Sequence, residues 1–363
     1  MATILLGDIV QNIKEVVNPK TCGLDKFVGL EHYDAGEPMI TRYGSPEKLD
    51  TNVKHFCKGD ILVARRNVYL KRAGYVDFEG VTSGDSIVLR VTNPTYQRIL
   101  PFILNTDDFW DYAEQNADGT MSKRLSPDDL LDYEFEEPED KEVLAEKLWA
   151  AYKVKESYRQ LLSTTDEMLK AKFQEMLKGA CKVSLGDVCF RITDGSHTPP
   201  QGINHSEYLM ISAKNIDGVR LDLNDVRYLS QADFEKEHKR TKIKKDDVLL
   251  TIVGTIGRAY LMKGNEPNIT LQRSVAVLTP NERIVPSFLY YSMSTDTEFE
   301  KEGQGNAQKG VYLAKLAKYQ ITLPDINMQK EFASIFTQAE ATKASLRASI
   351  EAIDRVIRSL INQ

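Results

Sequence analysis

The feature that most limits what this chain can become is that it is written twice. LLGDI (Leu5–Ile9) returns as SLGDV (Ser184–Val188), and KGDILVARR (Lys58–Arg66) returns as KDDVLLTIV (Lys245–Val253). SGDSIVLRV (Ser83–Val91) matches LQRSVAVLT (Leu271–Thr279), and RILPFIL (Arg98–Leu104) matches RIVPSFLYY (Arg283–Tyr291). LLDYEFEEPED (Leu130–Asp140) matches LAKYQITLPDI (Leu316–Ile326), and KESYRQLL (Lys155–Leu162) matches KASLRASI (Lys343–Ile350). The offset stays between 179 and 188 residues and the order never changes. Repeats at fixed spacing mean repeated structural units, so the 363 residues hold two related modules.

Within each half the hydrophobic period changes. GDILVARR, DSIVLRV, DVLLTIV and RSVAVL are short, rich in β-branched residues and bounded by Gly or Asp, which predicts strands. ILPFILNTDDFWDYAEQ and VPSFLYYSMSTDTEFEKE begin at proline and predict helices. Each half then closes on a long helical stripe: Leu148, Ala151, Lys155, Tyr158, Leu162, Thr165, Leu169 and Met176 in the first, and Phe336, Ala339, Lys343, Leu346, Ile350, Ile353, Ile357 and Leu360 in the second. Steps of three and four over several heptads are coiled-coil spacing. Each stripe needs an apolar partner of equal length, and the other stripe supplies it. The expected seam contains Leu148, Lys155, Leu162 and Leu169 against Phe336, Lys343, Ile350 and Ile357. The two lysines take the place of the polar seam residues that fix register at some cost in stability. The expected organisation is a globular domain at 1–140, a helix at 141–180, a second domain at 181–325 and a second helix at 326–363.

Charge is uneven. Residues 1–140 carry 15 Lys/Arg against 25 Asp/Glu, whereas residues 181–325 carry 19 against 18. Net charge bears on solubility and does not locate a site. Cys22, Cys57, Cys181 and Cys189 form no C-x-x-C pair, and the five histidines show no zinc-ligand spacing beside them. Reduced thiols in a cytoplasm, with no metal, are therefore expected. No apolar run reaches the roughly 18 residues of a membrane span. Catalytic signatures are missing as well: no phosphate loop, no G-x-S-x-G and no H-E-x-x-H.

What remains is binding chemistry. ARRNVYLKR (Ala64–Arg72) follows a predicted strand in the acidic half and carries Arg65, Arg66, Lys71 and Arg72. GTMSKRLS adds Lys123 and Arg124. In the second half TDGSHTPPQG is dense in donors and acceptors, GTIGRAY ends a strand at Arg258, TLQRS carries Gln272 and Arg273, and GNAQKG carries Gln308 and Lys309. Arg reaches guanine and Gln reaches adenine in bidentate fashion, while Ser, Thr, Lys and backbone N–H groups suit phosphates. KEHKRTKIKK (Lys236–Lys245) is the most basic run and a candidate phosphate or partner surface.

The order LGDV, DGSHTP, YLMISAKNI, KKDDVLLTIVGTIGRAYL, LQRSVAVL and GNAQKGVYLAKLAKYQITLPDINMQKEFASIF resembles the specificity subunit of type I restriction–modification systems. The likeness is specific in 184–363 and collinear but weaker in 5–180. It implies an α+β chain of two similar mixed α/β target-recognition domains, separated by two long helices packed as an antiparallel coiled coil about a pseudo-twofold axis. It implies a non-catalytic DNA reader, each domain taking one half of a bipartite site while the helices set the gap. The partners implied are double-stranded DNA, two adenine-methyltransferase subunits and, in the full complex, restriction subunits. S-adenosylmethionine, ATP and Mg belong to those partners. The DNA-binding set is then Arg65, Arg66, Lys71, Arg72, Lys123, Arg124, Ser196, His197, Thr198, Lys214, Arg258, Gln272, Arg273, Gln308 and Lys309. The first half departs from the pattern: KEVVNPKTCG stands where DGSHTP would be, and EPEDKEV keeps Pro138 but lacks the glutamine that LPDINMQ retains as Gln329. The alternative is a coiled-coil adaptor that binds protein only; it explains the heptads but not two strand-rich modules with Arg- and Gln-tipped loops.

Overall fold

The computed structural model describes residues 2–119, 122–303 and 309–361. It divides into two compact units, Met1–Gln160 with Leu346–Gln363, and Leu161–Ser345. The division falls inside both long helices, Lys141–Leu177 and Ile326–Ile361, so each unit owns a stretch of each. No helix among the described residues is long and apolar enough to cross a membrane.

The two units repeat one topology. In the first, an antiparallel sheet runs in the order Val10–Ile13, Ser86–Val91, Ile61–Ala64, Ala73–Tyr75; in the second the order is Cys189–Asp194, Val275–Pro280, Val248–Thr251, Ala259–Leu261. A small ribbon closes each: Thr3–Leu5 on Glu134–Glu136, and Cys181–Ser184 on Gln320–Leu323. Single bonds repeat too. The Leu6 N–H donates to the Tyr133 carbonyl at 2.8 Å and the Leu185 N–H to that of Tyr319 at 2.9 Å. The central strands are buried on both faces, so they read as unbroken apolar runs rather than alternations.

That burial misleads the sequence comparison at one place. Ala64 lies opposite Ser86, and its equivalent Thr251 lies opposite Val275. Asp85 is therefore the counterpart of Ser274, one residue away from the Arg273 that the sequence match gave it. Alternation normally pins register, and a strand with no polar face lacks that marker.

The second sheets differ. The first unit has Val16–Val17, Val53–Phe56, Gly80–Thr82 and Phe27–Val28; the second has only Arg227–Tyr228, Tyr208–Ile211 and Asn268–Leu271. The second unit adds instead the helix Gln231–Thr241, capped by the Ser230 hydroxyl accepting from the Asp233 N–H. The stretches expected to be helical after proline are each broken in two: Leu100–Ile103 then Asp107–Gln115, and Pro286–Ser294 then a 3-10 turn at Phe299–Glu302. Thr106 restarts the first pair by accepting the Phe109 N–H.

Within each unit the long helices pack antiparallel. In the first, Ala145, Leu148 and Tyr152 are buried, and Ile357, Leu360 and Ile361 pack against the same core. In the second, Leu169, Phe173 and Met176 join Phe332 and Ala339 in the core, with Phe173 centred 5.2 Å from Phe332. Each such buried side chain contributes about 1.5–3 kcal/mol. Of the expected seam, Leu148, Lys155, Leu169 and Lys343 are buried, while Leu162, Phe336, Ile350 and Ile357 are half-buried. Ala151 and Tyr158 of the stripe are half-buried; Tyr152, next to Ala151, is buried, and Phe173 fills the one long step.

The lysines are paired reciprocally. Lys155 Nζ lies 2.6 Å from Asp354 in the first unit, and Lys343 Nζ 2.7 Å from Asp166 in the second. The lysines stand 188 residues apart, and so do the aspartates. Lys155 also holds Glu37 at 2.7 Å, and Arg159 holds the same carboxylate at 2.6 Å. Burial pushes Glu37 up, but hydrogen bonds from Arg159 and Lys155 outweigh it and hold its carboxyl below the ordinary 4.5.

The missing glutamine of the first half has a physical substitute. Gln329 is buried; its Oε1 accepts the Val285 N–H at 2.9 Å, and its Nε2 donates to the carbonyls of Arg283 and Pro324. In the first unit the Arg98 carbonyl, counterpart of Arg283, accepts instead from Trp149 Nε1 at 2.7 Å.

Candidate nucleic-acid interface

At one end of the second unit five loop segments are tied together through backbone bonds. The Ser196 N–H donates to the Leu271 carbonyl at 2.8 Å, and the Arg273 N–H to the Ser196 carbonyl at 2.9 Å. The Ala213 N–H donates to the Ser274 hydroxyl, the Ile252 N–H to the Ser274 carbonyl, and the Gly254 N–H to the Lys309 carbonyl. Ser196, Lys214, Arg258, Gln272, Arg273 and Lys309 are thus gathered from distant parts of the sequence. Gln308 lies outside the described residues.

Gly195 makes this possible by close approach. A Cβ there would sit 2.1 Å from the Leu271 carbonyl oxygen and 2.5 Å from that of Gln272. Only glycine lets the DGSH loop lie against the strand end that presents Gln272 and Arg273. Asp194, almost fully buried, then fastens the loop from inside. It accepts from His197 Nε2 at 2.7 Å and pairs with Arg240, which lies in the basic last turn of the helix Gln231–Thr241. His197 keeps an exposed ring, and Thr198 and Arg273 are exposed. Arg258 is exposed with one guanidinium nitrogen 3.3 Å from the Ile216 carbonyl.

Beside Gln272 opens a cleft of about 320 Å3, walled by Lys214, Asn215, Asp225, Arg227 and Tyr228. Asn215 is buried and staples the cleft wall: its Nδ2 donates to the carbonyls of Asp222 and Asp225, and its Oδ1 accepts the Ser212 N–H. Lys214 reaches Asp225 at the rim.

The first unit gathers its cations at the equivalent loops. Arg66 bridges to Arg124 as Val253 does to Gly310, and the Asn67 N–H donates to the Lys123 carbonyl. Much of this charge is already used. Arg65 Nε donates to the Leu125 carbonyl, Arg66 Nε to the Ser122 hydroxyl, and Arg72 to the carbonyls of Leu30 and Arg66. Lys71 pairs with Asp107, and Asp85 lies 3.7 Å from Arg66 and 3.6 Å from Arg124. Lys54 sits behind them; burial, then the Arg65 guanidinium beside it, holds its ammonium below the usual lysine range.

ARRNVYLKR sets Tyr69 beside its four basic residues, but sequence reasoning missed Tyr312. Tyr69, on the first unit's basic loop, and Tyr312, three residues past Lys309, are largely exposed.

Paired units of one mixed α/β topology, each with a polar loop end braced by backbone bonds and each sharing both long helices, define a duplicated two-module binding protein. Its second half carries the sequence signature of a type I restriction modification DNA specificity domain, with residues 182–355 matching the model of that domain. Over 160 residues the chain is 28% identical to the type I restriction enzyme EcoBI specificity subunit of Escherichia coli, covering 42% of this chain and 33% of that subunit's length. In fold it is similar to the S subunit of a type I restriction–modification system from M. genitalium, with a TM-score of 0.61 and 12% identity over 99% of this chain and 94% of that one. A second type I system structure, described for complex assembly and conformational transition, aligns at a TM-score of 0.52 and 16% identity over 99% of this chain and 96% of its own.

Proposed function

We propose that this chain is a non-catalytic DNA-reading subunit, acting in the cytoplasm. Each loop end takes one half of a bipartite duplex site, the helices fix the gap and offer docking surfaces to two adenine-methyltransferase subunits, and restriction subunits join the full complex. The domains responsible are residues 1–140 and 181–325. One observation carries the reading: the Gly195 approach that locks Ser196, Gln272 and Arg273 onto one edge, with Lys214, Arg258 and Lys309 on adjoining loops. Gln272 and Arg273 supply amide and guanidinium groups suited to base edges, and the lysines and Ser196 suit phosphates.

The test is a salt titration of duplex binding with the methyltransferase partner present, followed by Arg273→Ala. Phosphate contacts release counterions, so log K falls with log salt. Arg273→Ala is expected to cost about 1–3 kcal/mol at one half-site and nothing at the other. A salt slope near zero overturns the reading in favour of a protein-only adaptor, and equal loss on all sequences reassigns Arg273 to the backbone.

A further inference from the structure

We propose that His55, Cys57 and Glu79 form a binding site for one zinc-like divalent cation, away from the loops that read DNA. The strand Val53–Phe56 pairs antiparallel with Gly80–Thr82, with His55 opposite Val81 and Phe56 opposite Gly80. Continuing that register sets Cys57 across from Glu79. His55 and Cys57 stand two residues apart and share a sheet face, because side chains alternate along a strand. One imidazole nitrogen, the Cys57 sulfur and a Glu79 carboxylate oxygen all lie within 4.8 Å of one another.

The imidazole is held as a metal ligand needs to be. Its Nδ1 lies 3.0 Å from Glu15 Oε2 and its Nε2 2.9 Å from Glu79 Oε1. With a carboxylate against each ring nitrogen both can carry a proton; on metal binding Nε2 gives its proton up while Glu15 keeps the one on Nδ1, the arrangement that accompanies zinc-bound histidines. The Glu15 carbonyl accepts the His55 N–H at 3.0 Å, which holds the two residues side by side. Zinc takes nitrogen and oxygen at about 2.0–2.2 Å and thiolate at about 2.3 Å, in tetrahedral array. Nitrogen and oxygen on one tetrahedral ion stand about 3.3 Å apart, so the cation enters with a small movement of Glu79, whose side chain is half exposed, and a rotation of the Cys57 side chain that brings its sulfur in from within 4.8 Å. Three protein donors leave the fourth position to water. On binding, the Cys57 thiol and His55 Nε2 each lose a proton to solvent, and the thiolate sulfur and the freed nitrogen take the metal. Sequence spacing hid the site, since the third donor comes across the sheet rather than along the chain. It lies at the Gly80 end of its strand, whereas Ser83–Asp85 of the basic end follow Thr82.

The full chain, stripped with chelator and titrated with Zn2+ or Co2+, tests this. About one ion per chain is expected, with a thiolate-to-cobalt charge-transfer band and proton release. Cys57→Ser abolishes the band, while Cys22→Ser and Cys181→Ser keep it. Glu15→Gln keeps the band but weakens affinity about 10–100-fold. Glu79→Gln, at a half-exposed position where misfolding is not expected, also keeps the band and weakens affinity. No bound ion, a band that survives Cys57→Ser, or unchanged affinity in Glu79→Gln overturns the proposal; His55 is then only an ion-pair partner of its two glutamates.

Discussion

At the scale of single residues, close approach and hydrogen-bond saturation decide what is replaceable. Gly195→Ala forces the DGSH loop off the Leu271 carbonyl. The expected result is a lower melting temperature together with loss of discrimination at one half-site, read by thermal unfolding and by binding to half-site variants. Gln329→Ala strips partners from the Val285 N–H and two carbonyls, and leaving buried groups unpaired costs about 1–3 kcal/mol. Substitution of Val143, at the matching position of the first half, is expected to cost less, because Trp149 already serves the Arg98 carbonyl there. Glu37 gives a pH signature. Its carboxyl is held below the ordinary 4.5, so its stabilisation is complete above that value and disappears as pH falls through the lowered one. The gap between wild type and Glu37→Gln in urea unfolding is therefore expected to be wide at neutral pH and to narrow in acid.

At the scale of elements, the two seam lysines sit at matching positions but in unequal company. Lys155→Met leaves Glu37, a buried carboxylate, short of a partner, and breaking a buried pair costs on the order of 3 kcal/mol. Lys343→Met leaves Asp166 and Glu340, whose side chains are exposed enough to hydrate, so it is expected to be neutral or stabilising. Chemical denaturation of the two variants separates the cases, and equal losses would show that the surroundings do not matter. The heptads, both helices and the duplicated strand order were legible in the sequence because each is a local period. The lysines stood out as polar breaks in an apolar stripe, but their aspartate partners did not. Those lie on the opposite helix among many exposed carboxylates, and no local pattern marks them. Tyr152 and Phe173 were passed over because a stripe drawn at ideal spacing has some freedom in phase. The register of Ser86–Val91 failed for the opposite reason: with both faces buried it carried no phase at all.

At the scale of the whole molecule, the units share a frame yet have diverged where ligands are met. The second unit spends a helix, Gln231–Thr241, on anchoring its DGSH loop through Arg240 and Asp194. The first unit has extra strands and ties its arginines to its own backbone. Composition gave the acidity of the first half but not which cations were already engaged, since that is a matter of neighbours in space. Arg258→Ala and Arg124→Ala are accordingly expected to weaken binding through different half-sites, checked by footprinting on a split target. The reciprocal lysine–aspartate contacts carry one more implication. Lys343 and Asp354 sit on a single helix, and each matches the partner that the other's counterpart uses. A polypeptide of only half this length would hold both members of the bond without being able to close it on itself, and two such molecules, laid head to tail, could complete each other.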